Sequence, residues 1–174
     1  MRSAFTEPGT SELIDVIQIA GGFLLSFDRC LAANPVLRER GRELLRGVTQ
    51  MLRGKTTVRP ESKRAVLEVA DRSVLDQLFP AIRARVDSLA QRPCTPQTVD
   101  ALLRIRSLER IRWTQDGRLC AIGSVRVRGD SGALCPVYRA TDIAALASRP
   151  DIIANWRYQD ARDRTKWQER ALEC

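Results

Sequence analysis

The sequence predicts an α+β fold, mainly α, with a helical N-terminal region, a helix-plus-hairpin region and a C-terminal helix. Three observations carry this. Apolar residues recur at alternating steps of three and four through most of the chain. Between residues 110 and 139 the period drops to two, and the turn signals Asp116-Gly117 and Gly129-Asp130-Ser131-Gly132 punctuate it. With 174 residues, 44% of them apolar and 29% charged, the chain can bury a core without disulfides or metal.

The first helix is predicted over 11–33. Leu13, Val16, Ala20, Phe23, Phe27 and Cys30 form its stripe, and Ile14, Ile17, Leu24 and Leu31 widen it. Such a helix is buried on more than one side, as a core helix or as a dimer interface. Gly21-Gly22 marks either a close helix approach or a break. The uncharged centre is about half the roughly 20 residues that a membrane span needs. Asn34-Pro35 ends this helix, and a second follows over 36–53, stopped by Gly54. Residues 55–60 read as a basic linker.

A third helix is predicted over 60–70. Ser73 and Asp76 then fit a capping box opening a helix to about 91, with a kink or break where Pro80 falls. Thr95-Pro96 opens a fifth helix over 97–107, carrying Val99, Leu102 and Leu103 inward. Alternation at 110–113, at 119–122 and at Val125 to Arg128 reads as short strands. Pro136 puts the last strand, 134–139, at an edge. Thr141-Asp142 caps a short helix over 143–147, and the final helix covers 151–172. The boundaries predicted are therefore 1–92, 93–148 and 149–174.

Composition removes several chemistries. Histidine is absent, so no Ser-His-Asp triad, Cys-His dyad or His-ligated zinc can form. Gly129-Asp130-Ser131-Gly132 resembles the nucleophile segment of chymotrypsin-like proteases, but without a histidine base it reads as a polar turn. Asp160 and Asp163 lie among arginines and read as salt-bridge partners. No catalytic constellation, metal site or cofactor is expected. Five widely spaced cysteines without a Cys-x-x-Cys arrangement, and a polar start, fit a reduced cytoplasmic protein. Cys120 and Cys135 are candidates to meet across strands.

The net charge of +8 is clustered. Residues 36–64 carry nine basic groups against three acidic, and residues 104–139 carry eight against three. Arginine outnumbers lysine 26 to 3, and its guanidinium fork suits phosphate. The segment from Thr95 to Thr141, a capped helix followed by a hairpin with Arg on both, resembles a winged helix-turn-helix module. Pro136-Val137-Tyr138-Arg139-Ala140-Thr141 resembles the last wing strand of many bacterial regulators. The resemblance implies a DNA-binding bacterial, phage or plasmid transcriptional regulator. Gln97, Thr98, Arg104 and Arg106 would lie on or beside the helix that reads bases, while Arg110, Arg112, Arg126 and Arg128 would hold phosphates. Arg38, Arg42, Arg46, Arg53 and Lys55 form a secondary basic patch. Double-stranded DNA is the expected partner, and the chain is expected to act as a homodimer through the helix at 11–33, the helix at 151–172, or both. Two other readings stay open: a non-enzymatic helical adaptor or assembly protein, and an RNA-binding protein.

Overall fold

A computed structural model describes residues 10–55, 58–60, 66–126 and 134–172. The fold is mixed α+β and mostly helical, and the chain divides into two compact units, Met1–Cys94 and Thr95–Cys174.

The first unit departs most from expectation. Residues 11–33 do not form one continuous helix. A short 3-10 turn, Thr10–Leu13, precedes β1 (Asp15–Ile19) and β2 (Gly22–Ser26), an antiparallel hairpin with Ile19 opposite Gly22. Only the end of the segment, α1 (Asp28–Ala33), is helical. The spacing of apolar residues fits a helix stripe, but Val16, Ile17 and Ile19 are β-branched and fit a pleated strand better. Gly21-Gly22 belongs to the hairpin bend. Gly22 has φ +149°, and a Cβ there would lie 2.5 Å from the Val69 carbonyl oxygen, so only glycine lets the neighbouring strand approach. The dimer interface expected of a helix at 11–33 is therefore not available in that form.

Next come α2 (Pro35–Glu39), capped by the Asn34 side chain, and the strongly amphipathic α3 (Gly41–Leu52). The expected basic linker contains β3 (Val58–Pro60), and the end of the expected third helix is instead β4 (Val66–Val69), residues 61–65 lying outside the described residues. Sheet order is β1-β2-β4-β3, antiparallel throughout. In β4, Leu67 and Val69 are fully buried on either side of Glu68, the period-2 signature of a half-covered strand. The long helix α4 (Arg72–Gln91) runs through Pro80 without a break. Leu75, Ile82, Val86 and Leu89 lie on both sides of the proline and bury in the same core, which outweighs the lost backbone hydrogen bond. Its cap is Asp71, whose carboxylate accepts from the Ser73 N–H at 2.8 Å, rather than Ser73 itself. The core joins these side chains to Leu25 from the hairpin, Phe27 just after it, and Leu44, Val48 and Leu52 from α3.

The second unit opens with α5 (Pro96–Leu103), capped by Thr95 as the Thr-Pro signal predicts. The segment expected to be strand at 110–113 is instead inside a helix, α6 (Ser107–Gln115). Asp116-Gly117 is the end of that helix, not a hairpin turn. Gly117 has φ +85°, as a residue after a helix C-cap often does, and Leu119 N–H reaches back to the Trp113 carbonyl at 2.7 Å. One antiparallel hairpin follows, β5 (Ala121–Arg126) and β6 (Leu134–Tyr138). The chain closes with α7 (Ala140–Ala147) and α8 (Pro150–Leu172). Val99, Leu103, Trp113, Tyr138, Ala140, Ile143 and Ile153 fill this unit's core. Among the described residues no helix is long and apolar enough to cross a membrane.

The cysteines stay apart. The hairpin register sets Cys135 opposite Val125, so Cys120, five residues before Val125, is displaced from Cys135 by about 16 Å along the strand. Both are free thiols. Burial pushes the Cys30 thiol up to about 11, which makes it a core side chain rather than a nucleophile.

Candidate nucleic-acid interface

The turn joining α5 to α6 is only three residues, Arg104 to Arg106. Arg104 takes the left-handed conformation, φ 52° and ψ 48°, at the C-cap of α5. Its carbonyl accepts from the Arg157 guanidinium at 2.8 Å, and the Arg106 N–H donates to the Glu109 carboxylate at 2.7 Å. A left-handed residue with a Cβ costs about 1–2 kcal/mol. Arg104→Gly is expected to stabilise this unit by roughly 0.5–1 kcal/mol, after the larger backbone entropy of glycine in the unfolded chain is deducted. Thermal unfolding followed by tryptophan fluorescence checks it, and a lower midpoint would show that the arginine side chain itself supports the turn.

The inner side of α6 is fastened twice. Towards α5, Asp100 accepts from Arg110 Nε and from Ser107 Oγ, both at 2.8 Å. Towards α8, the buried Asp160 carboxylate accepts from Trp113 Nε1 at 2.9 Å, from Arg118 at 2.7 Å and from Arg112. Trp113 and Trp156 meet edge-to-face with centroids 5.1 Å apart, and Arg118 lies over both rings. Burial alone would raise the Asp160 pKa. Hydrogen bonds from Arg118 and Trp113 and the charges of Arg118 and Arg112 outweigh it and hold the carboxyl below its ordinary value. Glu109 is likewise held low, by Arg157 first.

The outer side of α6 is open. Leu108 is 78% exposed and Ile111 44%, and Arg112 and Gln115 are exposed with them. Positions 108, 111, 112 and 115 share one helix face. Beside it β5 is exposed at every residue, Arg126 included. A groove of about 870 Å³ runs between the N-terminal turn of α5, α6 and the hairpin, lined by Gln97, Ile111, Gln115, Val125 and Arg126 among others.

The residues expected to touch DNA are therefore divided. Gln97, Arg110 and Arg126 border the same groove, but Arg110 is buried and tied to Asp100. Thr98 is half-buried, its N–H bonded to Thr95 Oγ1. Arg104 and Arg106 sit exposed at the turn, and Arg112 is exposed but paired with Asp160. Arg128 and the 129–132 turn lie outside the described residues. In the first unit Arg38, Arg42, Arg46, Arg53 and Lys55 are all exposed, with Arg42 and Arg46 on one face of α3 and Arg53 at its C-cap. Among the described residues, Arg104, Arg106, Arg126 and these three make no ion pair within 4 Å.

Leu108, Ile111 and Gln115 were missed because 110–113 alternates like a strand. The available signal was Gly117, which stops helices as well as turning hairpins. Compared with protein-family models, curated proteins and solved structures, the chain finds no significant match, so the reading of this interface rests on its own geometry.

Proposed function

We propose that the chain binds duplex DNA through its second unit as a winged helix-turn-helix, with α6 rather than α5 as the helix that enters the major groove. One observation carries the reading. A helix braced from behind by Asp100 and Asp160 leaves its front face open, next to the exposed strand β5 and to Arg104 and Arg126, which make no ion pair among the described residues. A short turn before α6 and a β-strand pair after it are what the major-groove geometry requires, with Arg126 on the sugar-phosphate backbone. Arg42, Arg46 and Arg53 add backbone contacts from the first unit. A role in transcription regulation as a homodimer, with α8 as the remaining dimer element, belongs to the same proposal. A palindromic selected site would support it.

Anisotropy with a random-sequence duplex, from about 50 to 200 mM salt, tests the core of this reading. Steep loss of affinity with salt is expected. Arg126→Ala and the pair Arg42→Ala/Arg46→Ala should each make the salt dependence shallower, the logarithmic slope falling by about one for every phosphate no longer neutralised. No binding at the lowest salt would overturn the proposal.

A second reading has its own support. Leu108, Ile111, Ile122, Val125 and Leu134 are all large, apolar and more than 40% exposed, which also suits a protein partner. RNA is disfavoured, because Tyr158 is the one aromatic among the exposed large hydrophobics described, and single-strand recognition uses aromatic stacking.

A further inference from the structure

The side chains left free on α6 narrow the kind of base pair it can read. We infer that this face recognises A·T pairs, with Leu108 and Ile111 against thymine methyl groups and Gln115 against an adenine edge. The inference rests on the reading of α6 as the inserted helix.

Guanine is read in the major groove chiefly by a free arginine or lysine fork. Every arginine within α6 is engaged: Arg110 is buried on Asp100, and Arg112 is paired with Asp160. Arg118, just after the helix, is shared between Asp116 and Asp160. The Ser107 hydroxyl already donates to Asp100. Arg106 precedes the helix and shares a hollow with Leu108, Glu109, Arg112 and Arg157, while Ile111 and Gln115 border the neighbouring groove. What faces outward without an internal partner among the described residues is therefore two aliphatic side chains and one carboxamide, beside an Arg112 that is exposed but held by Asp160. Leu108, Ile111 and Gln115 lie at steps of three and four, so they follow one line along the helix. The thymine C5-methyl is the apolar group in the major groove, and a glutamine amide pairs with adenine N6 and N7. Arg104, Arg106 and Arg126 supply the cationic surroundings that hold a polyanion against so apolar a face.

The test starts from duplexes with a randomised core, selected on the full chain. The best selected duplex is then made with thymine and with uracil, which differ only by the methyl group. Uracil is expected to weaken binding about 4-fold for each methyl that α6 covers. Leu108→Ala, at a surface position that should not disturb folding, is expected to weaken the thymine duplex and to remove much of that difference. Gln115→Ala should relax the choice at one adenine position. A selected core of G·C pairs, or equal affinity for the thymine and uracil duplexes, would overturn the inference and leave duplex binding standing. Failure to bind any duplex at about 50 mM salt would overturn both.

Discussion

Replacing Arg40 with methionine is expected to destabilise the first unit by about 3–5 kcal/mol, the largest effect of any single arginine in the protein. Arg40 is 7% exposed although it carries a full charge. Its guanidinium donates to the carbonyls of Leu89 at 2.6 Å, Arg92 at 2.7 Å and Pro93 at 3.0 Å, and to Cys94 Sγ at 3.6 Å. These carbonyls belong to the last turn of α4 and the residues after it, where a helix leaves its acceptors unsatisfied and its dipole negative. The fork thus closes the end of α4 with no carboxylate among the partners described. Burial lowers the Arg40 pKa, and the interactions with Cys94 partly restore it. Methionine matches the stem but leaves the carbonyls without donors. Arg40→Lys keeps the charge and loses the fork, so a smaller loss of roughly 1–2 kcal/mol is expected. All three tryptophans, Trp113, Trp156 and Trp167, lie in the second unit. Urea unfolding followed by far-UV circular dichroism therefore reports a transition that includes the first unit, and tryptophan emission reports the second. A change below about 1 kcal/mol in the methionine variant would mean that water replaces the guanidinium at those carbonyls.

Asp160→Ala is expected to cost the second unit about 3 kcal/mol, by leaving the buried Trp113 N–H without an acceptor, and by taking from Arg112 its anion and from Arg118 one of its two. Asp160→Asn keeps an acceptor for the indole and removes only the charge, so about half that loss is expected. The pH dependence separates the two contributions. The Asp160 carboxyl is held below its ordinary value of 3.8 in the folded protein. Its ionic contribution is therefore complete above about pH 4 and is lost as pH falls through the folded-state value. The stability gap between the native chain and Asp160→Asn should accordingly be constant above about pH 5 and close below about pH 4. Tryptophan fluorescence during urea unfolding at a series of pH values measures it. A gap that persists unchanged at about pH 2 would mean that Asp160 acts through shape and not charge. Because Asp160 braces the rear of α6, Asp160→Ala should also weaken duplex binding, although no contact with DNA is proposed for it.

Part of the local structure around the candidate interface was legible residue by residue. Thr95-Pro96 announces the start of α5, and Pro136 marks a strand at an edge, as in the two-stranded pairing of β5 with β6. The alternation of Arg110, Ile111, Arg112 and Trp113 did not reveal a helix. A four-residue alternation is too short to separate a strand from a turn of helix. The deciding partners, Asp100 for Arg110 and Asp160 for Trp113, lie 10 and 47 residues away. The same limit governs residues 13–30, whose apolar spacing satisfies a helix while their β-branched side chains satisfy a hairpin.

By itself the sequence determined the α+β mixture, the capped start of α5, the helix end at Gly54, the lack of imidazole chemistry and the two arginine-rich windows. These depend on residue type and on neighbours within one or two turns. The tertiary structure alone decided that 15–26 is a hairpin, that α4 survives Pro80, and that α6 turns Leu108, Ile111 and Gln115 outward while its arginines are consumed by internal acids. The physical reason is the same in each case: the local alternatives differ by about 1 kcal/mol per residue. Pairing with β4, burial in a shared core or a buried carboxylate from α8 supplies more than that, from residues far along the chain.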